Sequence, residues 1–327
     1  MKLIIPMAGR GTRLRPHTLT TPKPLLRFCG NYILETIIKT LINATKNKIN
    51  EVVFVVSDIE QENKEKIKDI SKKHNLKYTF ATQEKPLGTA HAIGCAKENL
   101  KEEIFVVFAD TLFFGNIEIK ENIDACVWTY RVDDPSSYGV VITNEKSDII
   151  DFKEKPKKPI SNKAIIGLYY FKKGERLLND INYIINKGIK DKEEYQLTTV
   201  LSNMLVRGDK IKNKEVDEWL DCGTVEALLE ANKSLLQKQN KQTNNSQIIQ
   251  PCFIGDSVEI KNSIIGPNVS IDKNTKIESA VIKNTIIGSN TNIKDAVFSN
   301  SLIGNNVKIQ DIKNKNNLNM GDYSQIN

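Results

Sequence analysis

Near the C-terminal end the sequence begins to copy itself. The strings IGDSVEI, IGPNVSI, IGSNTNI and IGNNVKI start at Ile254, Ile265, Ile287 and Ile303, and IKNSIIG at Ile260 returns as IKNTIIG at Ile282. Between Ile254 and Ile309 an apolar residue recurs every five or six positions, a period that neither a helix nor a hairpin produces. Repetition at this spacing predicts a parallel β-helix built from hexapeptide rungs, in which isoleucines stack inward from coil to coil. Asparagine, glycine and aspartate fall between the isoleucines, at turns where a positive φ is tolerated. The expected hand is left. The repeat domain is assigned to residues 248–312, with a polar, fraying tail at 313–327.

The preceding residues follow another rule. Apolar runs at Lys2–Ala8, Glu51–Ser57, Lys77–Thr82 and Glu103–Ala109 alternate with helical spacing in Tyr32–Lys46, Ile59–His74 and Thr89–Leu100. That alternation predicts an α/β domain with a mixed, mostly parallel sheet. Further strands are expected at Ala125–Val132, Gly139–Ile142, Ile149–Glu154 and Ala164–Phe171, with helices near Glu175–Lys187 and Gln196–Val206. This first domain is assigned to residues 1–236. A linker is expected at 237–247, where asparagine, glutamine and lysine leave no apolar face to bury.

Lysine and arginine outnumber aspartate and glutamate by 47 to 40, an excess that suits anionic small substrates. No basic stripe interleaved with aromatic residues is visible, so no nucleic-acid partner is expected. The five cysteines are scattered, without a Cys-x-x-Cys pair, which points to a reducing compartment and no structural zinc. The apolar stretch Leu3–Ala8 is too short for a signal-peptide core or a membrane span, and a cytoplasmic protein with no membrane partner is expected.

The candidate chemistry starts where the first strand ends, in Ala8-Gly9-Arg10-Gly11-Thr12-Arg13-Leu14. Two glycines with small neighbours let backbone amides approach phosphate oxygens, and Arg13 offers a forked cation to the same charge. A dinucleotide fingerprint is excluded because Leu14 occupies the place of its third glycine, and a Walker loop because no Lys-Ser/Thr pair follows at the required spacing. Taken singly, Asp110 reads as a strand-end turn former, Asp221 as a helix cap before Thr224, and Tyr169 as a core residue.

Their order along the chain changes that reading. Gly-x-Gly-Thr-Arg-Leu at Gly9, followed by Pro22-Lys23-Pro24, resembles the sugar-1-phosphate nucleotidylyltransferase family. So do Gln83 with Pro86-Leu87-Gly88-Thr89-Ala90, Phe108-Ala109-Asp110, Tyr138-Gly139-Val140-Val141, Glu154-Lys155-Pro156, Gly167-Leu168-Tyr169 and Trp219-Leu220-Asp221-Cys222-Gly223-Thr224. The variant resembled is glucose-1-phosphate thymidylyltransferase-like, a long form with a hexapeptide-repeat tail. The resemblance implies a Rossmann-like nucleotidyltransferase domain and a reaction that joins a nucleoside triphosphate to a sugar 1-phosphate, with Mg²⁺ as cofactor.

It also implies roles for single residues. Ala8, Gly9, Gly11, Thr12, Arg13, Gln83, Gly88 and Asp110 would bind the nucleotide, and Gly139, Glu154, Lys155 and Tyr169 the sugar phosphate. Arg13, Lys23 and Lys155 would carry the transfer, with Asp110 and Asp221 holding the metal. Gln83 favours a pyrimidine, hence dTTP or UTP with glucose 1-phosphate. The motifs also suit a mannose-1-phosphate guanylyltransferase, and the architecture a non-catalytic regulatory subunit. Some relatives with such tails are acetyltransferases that use a histidine on the coil; the three histidines here, His17, His74 and His91, all precede the repeats. The repeats are instead expected to pack protomers into a homo-oligomer or to stabilise the first domain.

Overall fold

A computed structural model describes residues 1–46, 48–145, 148–239 and 247–327. Residues 240–246 of the expected linker lie outside the described residues. The chain forms two compact units, each discontinuous in sequence: Met1–Gly9 with Ile37–Trp219, and Arg10–Thr36 with Leu220–Asn327.

The first unit is a mixed α/β sheet. Its strands are β1 (Lys2–Pro6), β2 (Glu51–Val56), β3 (Lys77–Thr82), β4 (Ile104–Val107), β5 (Ala125–Arg131), β6 (Gly139–Thr143), β7 (Ile149–Glu154), β8 (Lys163–Phe171) and β9 (Ile211–Glu215). The helices that follow or separate them are α1 (Ile33–Ala44), α2 (Gln61–Lys73), α3 (Thr89–Gly94), α4 (Gly174–Asn186) and α5 (Leu197–Val206). The sheet order is β7-β6-β8-β4-β1-β2-β3, and β5 pairs with both β8 and β9. The half formed by β4, β1, β2 and β3 is parallel throughout. β8 then runs antiparallel to β4, β5 and β6.

Composition explains the division. β2 and β4 read Glu-Val-Val-Phe-Val-Val and Ile-Phe-Val-Val, nearly continuous apolar runs whose residues are almost all buried, as a parallel strand covered on both faces requires. β3 is half-exposed along its length and begins with Lys77, as suits a sheet edge. The core runs through Ile4, Val53, Val106, Val127 and Phe171 and under Leu177, Ile181, Val200 and Leu201 of the helices.

The second unit contains three parallel ladders that repeat along the chain. One joins Cys252–Ile254, Val269–Ile271, Ile286–Ile287, Leu302–Ile303 and Asn319–Met320. Another joins Glu259–Lys261 to the first half of Lys276–Lys283, then Asn292–Ser299, Lys308–Gln310 and Gln325–Ile326. The remaining face pairs Ile264–Ile265 with Val281 and Ile282, and those with Val297 and Phe298. Isoleucines 265, 271, 277, 282, 287, 293, 303 and 309 form one buried cluster with Ala280, Ala296 and Phe298. The corners are residues with positive φ, including Ser257, Asn262, Asn268, Asn274, Ser279, Asn284, Asn290, Asp295, Asn300 and Asn306. Asparagine suits them because its short polar side chain tolerates the left-handed region.

The stretch 313–327, expected to fray, instead continues these ladders. Lys315–Asn316, Asn319–Met320 and Gln325–Ile326 each pair in parallel with the strand before, and Leu318, Met320 and Ile326 pack against the stack. Those three side chains, partly buried, extend the apolar column despite the polar residues around them.

Candidate active site

Within the first unit the parallel strands deliver several candidate residues to the same end of the sheet. β1 leads into Ala8 and Gly9, β3 into Gln83, and β4 into Asp110. β1 is flanked by β2 on one side and β4 on the other, so the strand order reverses there, and ligands of open parallel sheets bind outside the carboxyl ends at such a point.

Asp110 stands on a tight turn closed by the Thr111 amide donating to the Phe108 carbonyl at 3.1 Å. β8 holds that turn: the Phe108 amide donates to the Gly167 carbonyl at 2.9 Å, and the Thr111 hydroxyl donates to the Ile166 carbonyl. A Cβ at Gly167 would stand 2.9 Å from the Phe108 ring, and its φ is +84°, so glycine is required for the strand to come this close.

Gln83 is buried at the end of β3. Its Nε2 donates to the Gly88 carbonyl at 3.2 Å and lies 3.0 Å from Nδ1 of His91. The Gly88 carbonyl can only accept, which fixes the orientation of the amide. Both amide protons are then committed, His91 Nδ1 must accept, and the Gln83 carbonyl oxygen is left as the acceptor for a ligand. Burial lowers the pKa of His91 and so favours the neutral ring that this arrangement needs. Gly88 itself has φ +119°, and a Cβ there would lie 2.6 Å from the Tyr195 carbonyl. The Tyr195 amide donates to Leu87 and the Ala90 amide to Tyr195, and the Thr89 hydroxyl donates to Gln196 Oε1 at 3.1 Å, so backbone and side chains together clamp this loop.

A second group gathers on β6, β7 and α5. Gly139 pairs with Glu154 across the antiparallel ladder, and Thr198 donates its hydroxyl to Glu154 Oε2 at 3.1 Å. A Cβ on Gly139 would come within 3.0 Å of Thr198 and 3.2 Å of that carboxylate oxygen. Lys155 follows with φ +40°, and its ammonium lies 3.6 Å from Glu154 Oε1. Tyr169 is buried on β8 against Phe108, and burial with the nearby Glu154 charge pushes its phenol pKa up, so it stays a neutral hydroxyl.

The second unit holds the rest. Gly11, at φ +58°, starts a short helical turn over Thr12–Leu14 that the Leu14 amide closes on the Gly11 carbonyl at 2.9 Å, with Leu14 fully buried beneath it. A Cβ on Gly11 would lie 3.0 Å from Thr18 and 3.3 Å from Cβ of Lys23, which brings the glycine turn and the Pro-Lys-Pro segment side by side. Asp221 ends the strand Glu218–Asp221. The place where a Cβ on Gly223 would stand is 2.8 Å from an Asp221 oxygen and 3.0 Å from Nη2 of Arg13, so the absent side chain leaves room for both groups. Thr224 accepts from the Ala227 amide at 3.2 Å and so caps α6 (Val225–Gln239).

The geometry thus groups Gln83 with Gly88, Gly139 with Glu154, Lys155 and Tyr169, Gly11 with Lys23, and Arg13 with Asp221. His91, Thr198 and Gly223 join these groups although sequence reasoning assigns none of them a role at the site. The motif reading covered Gly223 only as part of a string.

A nucleotidyl transferase family profile matches residues 2–238. The chain belongs to the nucleotidyl transferase family. It is similar to the bifunctional protein GlmU of Methanocaldococcus jannaschii, 33% identical over 267 residues, a match that takes in 81% of this chain and 60% of that relative's length. A glucose-1-phosphate thymidylyltransferase of Streptomyces antibioticus is 27% identical over 318 residues, covering 85% of this chain and 84% of the relative. Among solved structures, a candidate glucose-1-phosphate thymidylyltransferase from Bacillus anthracis, crystallised with sucrose, superposes with a TM-score of 0.62 at 26% identity, over 75% of this chain and 98% of the other. The nucleotidyl transferase match includes every motif from Gly9 to Thr224 and stops before the coiled ladders. Among the described residues no helix is long and apolar enough to cross a membrane.

Proposed function

We propose that the protein is a sugar-1-phosphate nucleotidylyltransferase acting on dTTP, or UTP, and glucose 1-phosphate. The observation that carries the base preference is the Gln83 amide. With both of its protons committed to Gly88 and His91, it offers a carbonyl oxygen, the partner for the imino N–H of thymine or uracil. Adenine and cytosine present a bare ring nitrogen at that position. Guanine also carries an imino proton, so mannose-1-phosphate guanylyl transfer is the second reading.

A phosphate oxygen of the sugar 1-phosphate attacks the α-phosphorus in line, the bond to the β-phosphate oxygen breaks, and pyrophosphate leaves. The nucleophile is already anionic, so no side-chain base has to remove a proton, and catalysis reduces to positioning and charge neutralisation. The backbone of Ala8, Gly9, Gly11 and Thr12 faces phosphate oxygens. Arg13 steadies the triphosphate, Lys23 the phosphates near the reacting centre, and Lys155 the incoming sugar phosphate. Glu154 accepts from sugar hydroxyls, with Gly139 leaving space beside it and Tyr169 closing the apolar side.

As the resemblance implies, Asp110 and Asp221 would each offer a carboxylate to Mg²⁺. Among the described residues no three acidic, histidine or cysteine side chains gather into a complete metal cage. One or two carboxylates are what Mg²⁺ uses when phosphate oxygens and water fill its other positions. Bound there, the ion would neutralise charge on the triphosphate.

The ladders form a left-handed parallel β-helix in this reading, following a catalytic domain of residues 1–236 in a cytoplasmic homo-oligomer. Ile264, Val281 and Val297 are in register on one face and each about half-exposed, an aliphatic stripe that a second copy could cover.

The experiment is pyrophosphate release with Mg²⁺ across dTTP, UTP, GTP, CTP and ATP against glucose, mannose, galactose and N-acetylglucosamine 1-phosphates. Turnover highest with dTTP or UTP and glucose 1-phosphate is expected. Turnover highest with GTP and mannose 1-phosphate would favour the second reading, and silence from folded protein would favour a regulatory subunit.

A further inference from the structure

The glycine turn and the Pro-Lys-Pro segment lie within the second unit, and the residues between them are tied to the far end of the ladders. His17 is buried, and its Nε2 stands 2.7 Å from Oδ1 of Asn319. The same asparagine turns its Nδ2 towards the Arg15 carbonyl at 3.4 Å, which fixes the amide orientation and makes His17 Nε2 the donor. Thr20 donates its hydroxyl to Asp322 Oδ2 at 2.8 Å. Asp322 is itself held, since its Oδ1 accepts from the Asn305 amide at 2.7 Å and from Nδ2 of Asn305 at 3.1 Å. Gly321 lies so close beneath Pro16 that a Cβ there would meet the ring at 2.9 Å.

These contacts pass directly to the turn that carries Arg13. Thr18, between His17 and Thr20, donates its hydroxyl to the Gly11 carbonyl at 2.8 Å, the carbonyl on which the Leu14 amide also closes. The segment is tied a second time near its other end. Arg27 pairs with Asp272 at 3.0 Å, the Cys29 amide donates to the Ser270 hydroxyl at 3.2 Å, and the Phe253 ring fills the space above Gly30. Residues 10–30 are therefore strapped across the ladders at both ends.

We propose that Asn319 and Asp322, on the last coil, are positioning residues for the triphosphate-binding turn: through His17, Thr20 and Thr18 they hold Gly11–Leu14 and Lys23 in the binding conformation. This rests on the triphosphate role given to that turn under the proposed function. Two interactions, one of them to a carboxylate, are enough to change the population of an ordered loop severalfold, since a hydrogen bond to a charged group is worth about a tenfold factor or more.

The test uses the full-length protein with the substitutions Asn319→Ala, Asp322→Ala and Thr20→Val. Amide hydrogen exchange is followed at residues 10–25, and KM is measured separately for dTTP and glucose 1-phosphate. Exchange at Leu14, Arg15 and Leu19 should quicken by about tenfold, and KM for dTTP should rise by about the same factor while KM for glucose 1-phosphate stays within about twofold. Thr20→Ser keeps the hydroxyl and should behave as the unaltered protein. Asn274→Ala removes a coil-to-coil side-chain bond of 3.2 Å to Asn290 that has no link to the loop, and should change neither readout. Unaltered loop exchange, an equal rise in both KM values, or the same effect from Asn274→Ala would overturn the proposal. If the unaltered protein turns over no substrate pair, the activity reading fails separately, and hydrogen exchange alone decides whether the last coil holds the loop.

Discussion

The two units reach order by different means. In the sheet unit each candidate residue is set by its own local arrangement: Asp110 by a turn fitted against Gly167, Gln83 by Gly88 and His91, Glu154 by Thr198. No two of these arrangements are alike. In the ladder unit one arrangement is used repeatedly, with an isoleucine column inside and a side-chain amide ladder at the corners. Asn268 donates to Asn284, Asn284 to Asn300 and Asn300 to Asn316, at 2.8, 3.2 and 2.8 Å. A unique arrangement can carry specificity but fails when one member is changed. A repeated one tolerates the loss of a member, and its ends are where it can acquire a task.

The largest test of this contrast sets one aspartate from each unit against the other. Asp110→Asn and Asp221→Asn should each lower turnover by at least about a hundredfold, because removing a single electrostatic contributor commonly costs that much. Melting temperature should hardly move, since neither aspartate is fully buried. Steady-state pyrophosphate release reads the effect, and near-normal turnover in both variants would remove the metal assignment. A loss at Asp110 alone would place the chemistry entirely in the sheet unit.

A smaller effect is expected at His91, where a unique arrangement would support the proposed base choice. His91→Phe preserves an aromatic ring on α3 but cannot accept from Gln83, so the amide loses its orientation. The ratio of kcat/KM for dTTP over CTP should fall by about tenfold, the worth of one or two misdirected hydrogen bonds. Acid should imitate the substitution. Burial depresses the His91 pKa below 6.5, so the accepting neutral ring is present above that value and is lost as pH falls through the depressed one. Discrimination should therefore be level from pH 6.5 upward and decline below it in the unaltered protein, and be flat in His91→Phe. A parallel decline in both would assign the pH dependence to the substrates' own phosphates.

How far each unit could be read from sequence follows the same contrast. Strands of the sheet announce themselves because Glu-Val-Val-Phe-Val-Val and Ile-Phe-Val-Val leave no polar face, and the coils because isoleucine recurs at a fixed interval. The last coil was missed because Leu318, Met320 and Ile326 do the work elsewhere done by Ile-Gly-x-Asn strings. Motifs pointed to Gly9, Arg13, Lys23 and Asp110 as candidates, for phosphate chemistry calls for those residue types. The Gln83–His91 contact depends on how α3 faces the end of β3, which no local pattern reports. Asn319 and Asp322 were invisible for a stronger reason: each meets its partner 302 positions away in the chain. Spacing tells what repeats, whereas a contact made once leaves no period.

The smallest predicted effect lies in the amide ladder itself. Asn284 has φ +47° and both accepts from Asn268 and donates to Asn300. Asn284→Gly removes both side-chain bonds but accepts the backbone conformation, and several like corners remain, so a loss of only about 1 kcal/mol is expected. Asn284→Ala removes the same bonds and keeps a Cβ in the left-handed region without asparagine's tolerance of it, which costs about 1–2 kcal/mol relative to the glycine variant. Urea denaturation of the two variants separates the terms, because the ladder bonds cancel in the difference and only the backbone strain remains. Equal stability in the two variants would mean that asparagine is kept at this corner for its ladder alone. A larger loss for alanine, with pyrophosphate release unchanged in both, would show the corner serving the backbone first and the chemistry not at all.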